Sequence, residues 1–157
     1  MIVICDNSAL SALAEAELLD LLPQLFGFVM IPEAVRRECS HPHAPQALRD
    51  WINEEPRWLQ IAADPVTSLM ETRGLGTGEA AAISLAWECG NTSKLILDEK
   101  RGRRIAQMLG LPLIGVIGII GEAALRGWLD FDEAVTRIQG CGFHVSEAVI
   151  EAVRRKL

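Results

Sequence analysis

Hydrophobic residues in this chain come in short continuous runs separated by stretches of helical periodicity. The N-terminal run "MIVIC" is β-branched and uninterrupted, the mark of a strand buried on both faces. "SALSALAEAELLDLLPQLFG" follows with Ala and Leu at helical spacing. Pro23 interrupts it and Gly27 stops it, so two helices or one kinked helix are expected. "FVMI" reads as a second strand, and Pro32 suits the first position of a helix over "PEAVRREC". "APQALRDWINEE" has the spacing of an amphipathic helix, and "RWLQIA" that of a third strand. "TGEAAAISLAWECG" predicts a helix capped by Thr77 and closed by Gly90. "KLILD" is a fourth buried strand, "EKRGRRIAQMLG" a helix ending at Gly110, and "LPLIG" a fifth strand. "VIGIIGEAALRG", "DEAVTRIQG" and "SEAVIEAVRRK" complete the pattern as helices.

Short apolar strands alternating with helices predict an α/β fold. The expected architecture is a three-layer α/β/α sandwich around a central, mostly parallel sheet of about five short strands. No repeat, low-complexity stretch or linker interrupts the pattern, so a single domain is expected over residues 1–157, with a core over 1–127 and C-terminal helices over 128–157.

Composition narrows the function classes. The chain has 157 residues, half of them hydrophobic and 23% charged, which suits a globular domain with one good core. Fifteen basic against 21 acidic residues leave a net charge of −6, which argues against a generic nucleic-acid coat. It leaves open a nucleic-acid enzyme whose acids gather in one metal pocket. Cys5, Cys39, Cys89 and Cys141 are scattered, and without a CxxC pair zinc-ribbon and thioredoxin-like chemistry is excluded. The N-terminus lacks the basic region and cleavage site of a secretory signal, and the apolar stretch over 111–121 is too short to span a bilayer. A soluble, cytoplasmic protein with reduced thiols and no membrane partner is expected.

The chemistry lies in the acids. In an open parallel sheet, ligands bind outside the carboxyl ends of the strands. Asp6 follows "IVIC" and Asp98 follows "LIL", so both fall at that address. Glu79 opens the helix after "GLGTG", and Glu38 ends the short helix after the second strand. Four carboxylates sharing a crevice repel one another unless a cation joins them, and hard oxygen ligands suit Mg²⁺ or Mn²⁺. Ser8 is placed to hold Asp6 or a metal-bound water. Singly, each acid has a plainer explanation: Asp6 as a helix N-cap, Glu79 as a first-turn glutamate, Glu38 as a solvated helix residue. Lys100, Arg101, Arg103 and Arg104 follow Asp98 and are either a phosphate clamp or a solvated helix face. "GLGTGE" lacks the ending of a P-loop, and His41 and His43 sit beside prolines with no zinc-like spacing.

The segments "ICDNSAL", "IPEAVRRE", "GLGTGEAAAISLA" and "LILDEKRGRRIA", in this order, resemble the motifs of PIN-domain ribonucleases. They are most similar to a prokaryotic branch with a GxGExxAI segment, related to VapC-type toxins. The resemblance covers residues 2 to about 127. It implies a Mg²⁺- or Mn²⁺-dependent single-strand endoribonuclease, with Asp6, Glu38, Glu79 and Asp98 as the four acids and Asp6, Glu79 and Asp98 as metal ligands. Ser8 matches the hydroxyl residue two positions after the first aspartate. Such nucleases often carry a further Asp after the fourth acid, where this chain has Lys100 to Arg104. Single-stranded RNA, an antitoxin protein and a second copy of the chain are the implied partners. The competing expectation is a PIN-like binding or regulatory module that does not cut. Phosphotransfer folds also place acids at strand ends, but Ser8 stands where a dehalogenase needs its second aspartate.

Overall fold

A computed structural model describes residues 1–66 and 69–157. Its sheet contains β1 (Ile2–Cys5), β2 (Val29–Pro32), β3 (Leu59–Ala62), β4 (Ser93–Ile96) and β5 (Leu113–Ile114). The strands lie in the order β3-β2-β1-β4-β5, and every neighbouring pair is parallel. β1 is central, with Cys5 opposite Ile96 on β4. Nine α-helices connect and flank the strands among the described residues: α1 (Asn7–Glu15), α2 (Leu21–Phe26), α3 (Glu33–Cys39), α4 (Gln46–Asn53), α5 (Thr77–Cys89), α6 (Lys100–Met108), α7 (Val116–Leu125), α8 (Phe131–Gly140) and α9 (Glu147–Arg154).

The continuous apolar runs have the reason expected of them, since both faces of the sheet are covered. Val3, Cys5 and Ile96 point into a core shared with α1, α2, α4, α7, α8 and α9. Ile4, Leu95 and Leu97 point the other way, against α5 and α6. The result is the three-layer α/β/α sandwich that the alternation of strands and helices predicts. Phe131, Val135 and Ile138 of α8 and Ile150 of α9 sit in the first of these cores, so the C-terminal helices pack on the rest of the fold. The apolar segment at the start of α7 is largely interior too, with Val116, Ile117, Ile119 and Ile120 buried. No helix among the described residues is long and apolar enough to cross a membrane.

Three local expectations are corrected. The break in the first helical stretch is not at Pro23. α1 ends at Glu15, Glu17 turns the chain with a φ of 59°, and Pro23 is the third residue of α2. In that first turn its missing N–H has no intrahelical acceptor to lose. Pro32 does not open α3 but closes β2 with extended backbone, one residue earlier in register than its helical preference suggests. Gly76, not Thr77, holds the cap position of α5, and Thr77 is the first helical residue.

Candidate active site

Chain connections leave β1 toward β2 and leave β4 toward β5, so the crevice where connections diverge opens between the carboxyl ends of β1 and β4. Such a divergence is where open parallel sheets bind ligands. Asp6 lies at this point, only 2% exposed, with its N–H bonded to the carbonyl of Ile96. Its Oδ1 accepts the N–H of Ala9 at 3.0 Å, so it is also the N-cap of α1. The cap and the crevice acid are therefore one residue. Asp98 stands two residues beyond β4, and both its oxygens accept the N–H of Val116 at the start of α7, at 3.0 and 3.2 Å.

The two glutamates arrive from helices. Glu38 is in the last turn of α3, whose own start is fixed by Asp64 accepting the N–H of Ala34 at 2.8 Å. Glu38 is not a free surface residue: its Oε1 accepts the N–H of Gly78 in the first turn of α5, at 2.7 Å. Glu79 is the next residue of that turn. Gly78 and Gly102 are both helical, where glycine costs about 1 kcal/mol relative to alanine. Close approach explains each. A Cβ on Gly78 would run into the Glu38 carboxylate, and one on Gly102 would stand 2.7 Å from Glu79 Oε2. Asp98 lies against Gly115 in the same way.

Burial and mutual repulsion show in the acidities. Burial pushes the Asp6 carboxyl up to about 7, against the pull of the Ala9 N–H, and the charges of Asp98, Glu79 and Glu38 add to it. Glu79 is also raised to about 7, by burial first, then by the charge of Glu99 and a hydrogen bond shared with it. Asp98 is raised by burial, opposed by the Val116 N–H and the nearby Arg103. Glu99 moves the other way because Gly102 donates its N–H to Oε2 at 2.8 Å. The Glu79–Glu99 contact therefore shifts the two acids in opposite directions, Glu79 up and Glu99 down. Glu99 caps α6 and was not a candidate from sequence, although an acid three residues before a glycine at a helix start is a capping signal.

The basic run after Asp98 divides by role. Arg103 is half-buried and donates to the carbonyl of Leu97 at 2.6 Å. Arg101 donates to the carbonyls of Arg73 and Gly74 at 3.4 and 3.3 Å, tying the turn before α5 to α6. Lys100 and Arg104 are exposed. Ser8 is exposed and forms no hydrogen bond with Asp6 among the described residues. The neighbouring Asn7 instead accepts from the thiol of Cys39. His41 and His43 lie together in an exposed loop, His41 Nδ1 accepting the N–H of His43 at 3.0 Å.

The crevice thus gathers Glu38, Glu79 and Asp98 within electrostatic reach of Asp6. Among the described residues, however, no three such side chains converge closely enough to hold one metal ion. Each is turned to a local partner: Asp98 to Val116, Glu38 to Gly78, Glu79 to Glu99. A family model, DUF3368, described as a PIN domain, matches residues 2–157. No curated protein matches the chain. PIN domains are nucleases as a class, which agrees with acids gathered at the mouth of a parallel sheet. With nearly the whole length matched and the all-parallel sandwich in place, the chain belongs to the PIN-domain family.

Proposed function

We propose that this PIN domain is a Mg²⁺- or Mn²⁺-dependent endoribonuclease acting on single-stranded RNA. The observation that carries the reading is the crevice itself: a buried aspartate at the central strand, raised to about 7, on which the charges of Asp98, Glu79 and Glu38 all bear. Burying such a group without compensation is costly, and a divalent cation is the partner that relieves it. The donors are all carboxylate oxygens, which fits a hard cation. Asp6, Glu79 and Asp98 would hold it, and Glu38 would position a water. When bound, the ion would lower the pKa of a water and offset charge building on the phosphate.

The chain's own residues set the rest. Asp6 and Asp98 are short side chains anchored at strand ends and at helix N-termini, so they give the site fixed points. Glu38 and Glu79 have longer side chains and reach the crevice from α3 and α5, where Glu38 accepts from Gly78 and Glu79 meets Glu99. Arg103, beside Asp98, suits contact with a phosphate next to the one cut. The resemblance to VapC-type toxins supports an antitoxin protein as partner and a homodimer as the resting state.

Cleavage of a labelled single-stranded RNA pool tests this with Mn²⁺, with Mg²⁺ and with EDTA, beside Asp98→Asn. Metal-dependent cutting that disappears in the variant is the expected result. No cutting under any metal would favour a non-catalytic PIN-like module, a reading supported by the Glu79–Glu99 pair and the lack of three converging carboxylates among the described residues.

A further inference from the structure

Beside the acid crevice lies a cavity of about 720 Å³, larger than the pocket of about 330 Å³ near Arg57. It begins at Asp98, Arg103 and Gly115, runs past β5 and α7, and ends between α9 and the loop that holds Phe143. One end of this groove is therefore the candidate active site itself. From Lys94 to Asp98 the chain follows β4 and its continuation for roughly 13 Å at strand rise.

The charge of the groove is opposite to that of the protein. Acids outnumber bases 21 to 15 in the chain, yet the side chains here include Lys94, Lys100, Arg103 and Lys156 against Asp98 and Glu122. None of those four cations takes part in an ion pair among the described residues. Outside the groove Arg36, Arg37, Arg137 and Arg154 are paired with a carboxylate, while seven other arginines are likewise in no ion pair among the described residues, so what sets the groove's four cations apart is their gathering around one cavity. Unpaired cations around a cavity in an acidic protein are the electrostatic complement of a polyanion. The walls between them are apolar: Ile117 on α7, Val149 and Val153 on α9, with the ring of Phe143 at the loop. Cations spaced along a groove with an aromatic ring and apolar walls suit phosphates and base faces of one strand.

We infer that this groove binds the single-stranded nucleic acid on one side of the cut, its phosphates on Lys94, Lys100 and Lys156 and its bases against Phe143 and the α9 wall. The inference rests on the nuclease reading for its orientation, with the scissile phosphate at Asp98. It assigns to α9 a substrate-holding role.

The test is fluorescence anisotropy of a fluorescein-labelled single-stranded RNA in EDTA, where binding is measured without cutting. Replacing both Lys94 and Lys156 by Gln is expected to weaken binding about tenfold and to lower the salt slope by about 1.4, for two phosphate contacts on a single strand. Since Lys94 is half-buried, Lys156→Glu alone, at an exposed position, serves as the second variant if the double one fails to fold. Unchanged affinity and salt slope in a folded variant overturn the groove, and if the wild type still cuts with Mn²⁺ the nuclease reading survives that failure. Groove-dependent binding with no cutting under any metal keeps the groove and removes the nuclease. A variant that binds the strand normally but loses self-association in sedimentation assigns the groove to a second copy and overturns the inference.

Discussion

The two aspartates and the two glutamates of the crevice are built in different ways. Asp6 and Asp98 are rooted at the ends of adjacent parallel strands, and each is fixed by a helix N-terminus: Asp6 by that of α1, which follows it directly, and Asp98 by that of α7, eighteen residues further on. Their positions come from β pairing, with a local cap for Asp6 and a contact to α7 for Asp98, and little side chain is left to order. Glu38 and Glu79 stand on helices separated by forty residues of sequence and meet only because α3 and α5 pack. They depend on glycines that leave space for a carboxylate. Strand-end acids are thus fixed on short side chains, while helix acids reach the crevice on longer ones; Asp6 and Glu79 are both costly to ionise, and Asp98, like the helix acids, lies against a glycine.

The strongest way to break the comparison is to neutralise the fixed pair. Asp6→Asn and Asp98→Asn each are expected to lower metal-dependent RNA cleavage by about two orders of magnitude or more, since each removes several kcal/mol of transition-state stabilisation. Equal losses for Glu38→Gln would erase the distinction between strand-end and helix acids.

Stability against pH sharpens the same contrast. The folded-state pKa of Asp6, about 7, lies above its ordinary 3.8. The native state therefore binds the proton more tightly than the unfolded chain. Its contribution is complete below pH 4, declines as pH rises, and is lost above about 7. Asparagine is as good an N-cap as aspartate, so Asp6→Asn keeps the Ala9 bond and removes the charge. In EDTA, urea denaturation is expected to show the variant level with wild type near pH 4 and about 3 kcal/mol more stable at pH 8. A constant difference across that range would show that Asp6 does not titrate in the folded protein. Glu79, raised from 4.5 to about 7, acts in the same direction with a smaller effect because it is only half-buried.

Gly102→Ala tests the helix pair. Helix propensity favours it by up to about 1 kcal/mol, while its Cβ would meet Glu79 Oε2 at 2.7 Å and Leu97 Cδ2 at 3.1 Å. The melting temperature is expected to hold, with cleavage and Mn²⁺ affinity falling about tenfold through a displaced Glu79. Retained cleavage would mean that Glu79 does not need that position. The smallest effect belongs to Arg101→Ala, which frees the carbonyls of Arg73 and Gly74. A loss of about 0.5 kcal/mol is expected. Hydrogen exchange at residues 73–77 would rise with little change elsewhere.

The division between chain and fold follows the range of the forces involved. Apolar runs without alternation specify strands covered on both faces, and an aspartate directly after such a run can only emerge at the sheet's carboxyl edge. Asp6 and Asp98 were legible for that reason, as was the parallel sandwich. Helix caps shifted by one residue at Pro32 and Gly76, because extended and helical backbone compete there on small energy differences. Glu38 looks solvated in sequence and is bound to Gly78; Glu99 looks like part of a charged run and is paired with Glu79. The unpaired cations of the groove are spread from Lys94 to Lys156 and share no motif. Those relations join residues far apart in the chain, so no local spacing encodes them. What the sequence determined was which groups stand at the ends of buried strands; what the tertiary structure decided was which distant side chains face them, because only packing sets a carboxylate against a glycine and four cations around one cavity.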